Sequence, residues 1–336
     1  MTQTRRARFD PTLAARVVRT VPLRYADGAD AAFDRPAHVR AASGIVRVGG
    51  RIAVVQDDAN FIALVDPATG LATAVTLPAG EGGARQFDDE RGNKRFKLDL
   101  ESCVVLRDGE GEMLAAFGSG STPLRERIVL VRGLDSPEPE LEIVDASELY
   151  ARLRAETAFA GSELNVEGAA IFRGTLRLFN RGNGAPRGDL RGVNATCDLD
   201  LATLLASLRD PTLPPPVPRG VVQYELGEIA GFPLTFTDAA VLGDAILYTA
   251  TAEDSPDATR DGPVAGSAIG IIRGDEARWC EAKDGDGRRY AGKIEGILPL
   301  EPHRALVVVD RDEPGTPSEL SEVVLEGDGW LLRCVT

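Results

Sequence analysis

VEGAAIFRGTLRLFNRGNG, residues 166–184, holds two short apolar runs joined at Arg173 and Gly174. A carboxylate and a small residue open the first run, and polar, Gly-rich residues close the second. Runs of this length bounded by Gly and Asn read as strands, and two of them around a Gly turn read as a hairpin. The pattern returns, imperfectly, in ASGIVRVGGRIAVVQDDAN from Ala42, LESCVVLRDGEGEMLAAFGSGS from Leu100, TDAAVLGDAILYTATAED from Thr237 and IEGILPLEPHRALVVVDRDEP from Ile294. Aligned on the residue before the small one, Ser43, Glu101, Glu167, Asp238 and Glu295 fall in register, about 57–71 residues apart. A period of that size suits a four-stranded unit with long loops.

Two more strand-like runs follow each copy, among them RIVLVRG and LEIVDA after the second and EVVLEG and WLLRCVT after the fifth. A lone four-stranded sheet cannot bury both faces, whereas radial stacking into a ring can. The expected fold is therefore an all-β β-propeller of five four-stranded blades, with a sixth sheet as the alternative count. It forms one domain over residues 1–336, with blades near 40–80, 100–146, 165–228, 236–282 and 293–336. The stretch 12–26 is expected to close the ring on the last blade. Helices enter only as short insertions: Asp200 can cap LATLLASLR, whose Leu201, Leu204, Leu205 and Leu208 share one face. ELYARLRAETAF is a second helical stretch, PTLPPPVPRG a stiff connector, and residues 81–97 an exposed charged loop that could lie over the same mouth as Asp99 and Glu101.

With 52 acidic against 38 basic residues, the chain carries a formal charge of −14. That repels nucleic-acid phosphate and anionic lipid, so neither is an expected partner. No run approaches the roughly 20 apolar residues of a membrane helix and no apolar signal core follows the basic start, which reads as cytoplasmic. Cys103, Cys197, Cys280 and Cys334 are far apart and read as reduced thiols. Two histidines, His38 and His303, are too few for an ordinary His-based zinc site, so a metal here would need oxygen ligands.

The two strands of each hairpin are antiparallel, so the start of the first and the end of the second meet at one end of the blade. One mouth of the ring should then gather Glu101, Glu167, Asp238, Glu295, Asp57, Asp310 and Asp312, with Asn180, Asn183 and Ser119. Residues two apart share a face, which adds Asp99, Asn165 and Lys293. Lysine occurs only at 94, 97, 283 and 293, and two of these sit beside the motif glutamates. Converging oxygens suit a hard divalent cation, Ca²⁺ before Mg²⁺ or Mn²⁺, with Glu101, Glu167, Asp238, Glu295 and Asp310 as ligands. Lys97, Asn180, Arg181, Lys293 and Arg311 are the candidates for holding a small phosphorylated or carboxylated ligand. If the site is catalytic, Glu101, Glu167 and Glu295 are its acid–base candidates, for metal-assisted phosphoester or lactone hydrolysis. The alternative is a non-catalytic scaffold for a ligand or protein, its carboxylates paired with Lys and Arg.

LDLESCVVLRDGEGEMLAAFGSGSTPLRER, LNVEGAAIFRGTLRLFNRGNG and GKIEGILPL with ALVVVDRDEP together resemble strand openings of phytase-like, esterase-like bacterial β-propellers and their relatives of unknown function. The likeness spans residues 97–313. It implies a propeller fold and a carboxylate-rich channel, with Glu101, Glu167 and Glu295 at the matching positions. Asp238 matches in charge without the following glycine, and Ser43 carries no charge.

Overall fold

A computed structural model describes residues 3–254, 262–301 and 303–330. Cys334, Pro302 and the run beyond Trp330 lie outside the described residues. Five strands line the axis: β1 (Ala42–Val48), β2 (Leu100–Asp108), β3 (Val166–Phe172), β4 (Phe232–Leu242) and β5 (Lys293–Glu301). Each pairs antiparallel with the next strand in the chain and opens a four-stranded sheet. These axial strands touch in cyclic order, with β5 returning to β1, so the sheets close into a β-propeller. In the sheet of β5, the fourth strand is Ala14–Pro22, antiparallel to Glu319–Glu326, so the start of the chain is joined to its end.

Apolar faces of neighbouring sheets form the core. Phe179, Phe236, Tyr248 and Tyr224 meet edge to face, with ring centroids 5.2–5.5 Å apart, between the third and fourth sheets. Such pairs add to the burial energy of the rings. Between the second and third sheets the core is extended by α1 (Ser147–Ala155), α2 (Thr157–Ala160) and α3 (Leu201–Arg209), which contribute Leu153, Phe159 and Leu204. Asp200 caps α3 by accepting from the Thr203 amide. Cys103, Cys197 and Cys280 are buried free thiols.

One extra residue is inserted near the start of every axial strand: Ser43, Glu101, Glu167, Thr237 and Glu295 have no partner opposite while their neighbours do. A bulge re-aims its side chain, and here the glutamates turn toward the mouth of the ring. This corrects the fourth copy of the repeat, where Thr237, not Asp238, stands in register with the glutamates. A slip of one residue moves a side chain to a different environment, and Asp238 instead occupies the position of Gly44, Gly168 and Gly296. Its buried carboxyl accepts from the Ile297 amide of β5 at 2.8 Å. Ser43 and Thr237 use their hydroxyls to join sheets: Ser43 donates to the Leu100 carbonyl, and Thr237 to the Ile294 carbonyl at 2.7 Å.

The glycine after the bulge follows from crowding at the axis. A Cβ on Gly296 would lie 2.7 Å from Val308 Cγ2 and 3.2 Å from the Gly44 Cα, where β5 meets β1. Overpacking of this kind typically costs about 1–3 kcal/mol. Gly296→Ala is therefore expected to lower unfolding stability by about that amount in urea titration, and an unchanged midpoint would show that β5 can move away from β1 freely.

Candidate functional site

The bulged glutamates open onto a small cavity of about 50 Å³, room for a water or two or a single ion rather than a sugar ring. Six carboxylates (Asp57, Asp99, Glu101, Glu167, Glu295 and Asp310) and five cations (Lys94, Lys97, Arg125, Arg181 and Lys293) line it, so it is a cup of nearly balanced charge rather than a bare acidic ring. Glu101, Glu167 and Glu295 come from the bulges, Asp57 and Asp310 from the ends of second strands, and Asp99 from just before β2. The 81–97 loop brings in Lys94 and Lys97. Arg40, anchored on Asp58 at 2.6 Å, holds that loop through Asp88 at 3.2 Å, while Gln86 of the loop donates to the Asp34 carbonyl.

On one side of the cup, Lys97 Nζ lies 2.8 Å from Asp57 and 2.6 Å from Asp99. Arg125 reaches Asp99 at 3.0 Å, and Ser119 donates to it. Burial acts to raise the Asp99 pKa, but the Lys97 and Arg125 charges outweigh it and hold the carboxyl below its usual range. On the other side Lys293 Nζ lies 3.0 Å from Glu295 and 3.1 Å from Asp312. Arg181 contacts Glu253 at 2.6 Å and Glu167 at 3.5 Å, and Asn165 donates to Glu167 at 2.7 Å.

These cations do not satisfy every acid. Burial, then the charges of Glu167, Asp57 and Asp99, push the Glu101 carboxyl well above the ordinary range. Burial pushes Glu167 up to about 8 in spite of Arg181, and burial also raises Glu295 against Lys293 and Arg181. Asp310 rises through burial and the neighbouring Asp312. Oε2 of Glu295 is buried and has no hydrogen-bond partner among the described residues. Asp57, Asp99 and Glu101 each offer a carboxylate oxygen, all within 4.8 Å of one another.

Of the residues singled out in the sequence, Glu101, Glu167, Glu295, Asp310, Lys97, Arg181 and Lys293 line the cup. Three do not. Asp238 is separated by the register shift. Asn180 is fully buried as a brace, accepting from the Asn165 amide and donating to the Val193 carbonyl. Arg311 points outward and pairs with Glu319 at 2.8 Å, because the chain leaves the sheet after Asp310. Arg125 was not identified by the hairpin pattern, since a short 3₁₀ turn, Pro123–Arg125, folds it back over Asp99. The basic residue after the FGSGS run was its only trace in the sequence.

A family model described as a family of unknown function matches residues 38–325. No curated protein matches the sequence. Among solved structures, the glutaminyl cyclase of Myxococcus xanthus is 12% identical, with 97% of this chain and 99% of that one covered at a TM-score of 0.46. An exo-1,5-alpha-L-arabinanase from a bovine ruminal metagenomic library is 10% identical, covering 86% and 97% at 0.45. A GH93 alpha-L-arabinofuranosidase of Fusarium graminearum is 10% identical, covering 92% and 98% at 0.42.

Removing one partner of a buried ion pair strands the other. Lys97→Met is expected to lose about 3–5 kcal/mol in urea unfolding, whereas Glu101→Gln, which removes like-charge repulsion, should leave stability equal or higher. A carboxyl whose folded pKa is raised binds its proton more tightly in the native state, so its effect is to lower stability as pH rises. For Glu167 that window runs from the ordinary 4.5 to about 8. Unfolding free energy measured across it should decline less steeply in Glu167→Gln than in the parent, and parallel profiles would refute this assignment.

Proposed function

The chain belongs to the DUF6929 family, a family of unknown function, and from its site we propose that the cup binds a divalent cation, Ca²⁺ before Mg²⁺ or Mn²⁺, at Asp57, Asp99 and Glu101. The observation that carries this reading is the approach of those three carboxylates to within 4.8 Å. Ca²⁺ accepts six to eight oxygens in irregular geometry, and water can complete such a set where Mg²⁺ demands an octahedron. Glu101, surrounded by like charges, gains most from a cation. Ligand carboxylates must ionise on loading, so binding releases protons and tightens with rising pH.

An outer groove of about 190 Å³ shares Asp57, Lys94, Lys97 and Asp310 with the cup and continues past Arg40 and Asp312. Eight carboxylates line it against Arg40, Lys94 and Lys97, so the body of a small carboxylated or phosphorylated ligand would enter with its anionic group on the bound cation and toward Lys94 and Lys97. A bound cation would polarise such a ligand and activate water. Glu167, raised to about 8, is suited to take and return a proton near neutrality. Phosphoester or lactone hydrolysis is the reaction class we assign on this basis, in a cytoplasmic protein acting on a small molecule rather than on nucleic acid or membrane.

A second reading rests on Lys97, whose ammonium already stands between Asp57 and Asp99. On that reading the cup is a salt-bridged brace and the propeller a non-catalytic scaffold. Calorimetry with CaCl₂, MgCl₂ and MnCl₂ at about pH 6 and about pH 8.5 separates the two. Binding of Ca²⁺ that strengthens at the higher pH and falls at least about tenfold in Glu101→Gln is the expected result. Absence of heat with all three ions, together with a melting temperature indifferent to chelator, would leave the brace.

A further inference from the structure

The outer edge of a sheet presents unpaired backbone N–H and C=O groups, a template for another strand. In this ring the N-terminal segment covers such edges one after another. Gln3–Arg6 pairs parallel with the outer strand Arg219–Glu225, Arg8 and Phe9 with Arg278 and Trp279, and Arg24 and Tyr25 with Leu71 and Ala72. Between them Ala14–Pro22 completes the sheet of β5. The strap is rich in arginine and meets acids on the way: Arg5 pairs with Asp275, and Arg6 with Glu225 at 3.3 Å.

The second sheet is the exception. Its outer strand Glu140–Asp145, ELEIVD, ends the sheet, and among the described residues no strand lies beside it. Glu140 and Glu142 are exposed and make no ion pair among the described residues. Arg132, opposite Glu140 in the ladder, feels its charge but forms its close ion pair with Asp108, and Arg209, which lines the same groove, also reaches Asp108, at 3.3 Å. Beside the strand runs a groove of about 420 Å³, where Leu205 and Leu208 of α3 face Met113 and Leu130 and the two glutamates form the rim. We propose that this edge receives an extended, arginine-bearing segment of a partner protein as a fifth strand, with alternate side chains dropping into the groove.

Charge selects the occupant. Alternate residues of an added strand share a face, so one face would bring basic side chains to Glu140 and Glu142 and an apolar one to Leu205 and Leu208. A second copy of the same strand, laid antiparallel about its centre, would set Glu140 against Asp145 at both ends, and like charges opposite each other are unfavourable. The strap shows that this fold accepts basic segments in parallel pairing on its outer edges.

A fluorescently labelled peptide of the strap sequence QTRRARF is a direct probe, read by anisotropy and by hydrogen exchange of the 140–145 amides in the full chain. Saturable binding with slowed exchange at 140–145 is expected. Binding should weaken about tenfold in the double variant Glu140→Gln, Glu142→Gln, which removes both charges without setting a cation opposite Arg132, and should weaken further with salt. No binding would overturn the proposal, as would protection confined to Arg219–Glu225, where the peptide merely replaces the chain's own strap. Protection of 140–145 that grows with protein concentration in the absence of peptide would assign the edge to a second copy instead.

Discussion

Everything at the mouth of this propeller depends on how closely the axial strands approach one another. Adjacent backbones come near enough at Gly44, Gly168 and Gly296 that a side chain there would meet a neighbouring strand. Each axial strand also carries one inserted residue just before this position, and in β2, β3 and β5 that residue is a glutamate lining the cup. In β3 and β5 the Glu-Gly pair is one device with two parts, the glycine permitting the approach and the bulge aiming the carboxylate, while in β2 the bulged Glu101 is followed by Ser102. Where the bulged residue is Ser43 or Thr237, its hydroxyl is spent on the backbone of the next sheet, and no charge reaches the cup.

Three glutamates brought together this way would repel one another in a poorly solvated space, and the structure answers by interleaving cations. Lys97, Arg181 and Lys293 each contact two or more carboxylates. The compensation is uneven. Asp99, with Lys97, Arg125 and Ser119 around it, is held ionised, while Glu101 and Glu167 hold their protons to higher pH. Environments that drive the protonation of neighbouring carboxyls apart cluster at functional sites, and structural ion-pair networks produce them as well. They also carry a cost, because a buried charge network contributes less to stability than an apolar core of the same volume.

The perimeter follows a different logic from the axis. Inside, side chains set the spacing of strands; outside, backbone hydrogen bonds decide what lies next to a sheet. The N-terminal strap joins the ring by closing the sheet of β5 and covers three further edges, which removes most of the exposed pairing surface that open sheets must otherwise blunt with charge. Strand Glu140–Asp145, left outside this arrangement, carries acidic residues at its ends and in its middle.

The hairpin repeat, with its apolar runs and Gly turns, was enough to imply a propeller, because strand length, turn chemistry and the inability of a four-stranded sheet to bury itself are local properties of the chain. It also placed Glu101, Glu167 and Glu295 at one end of their blades, since antiparallel pairing requires it. The register of the fourth copy was out of reach: TDAA and VEGA differ by a shift that only the hydrogen bonds of the ladder reveal, and Asp238 changed surroundings with it. Nor does a strand pattern say that Asn180 turns inward as a brace or that Arg311 leaves with the chain. The pairing of Lys97 with Asp57 and Asp99 joins a loop to the ends of two different sheets, and contacts between segments that distant depend on how the ring closes, which is a property of the folded whole and not of any segment of its sequence.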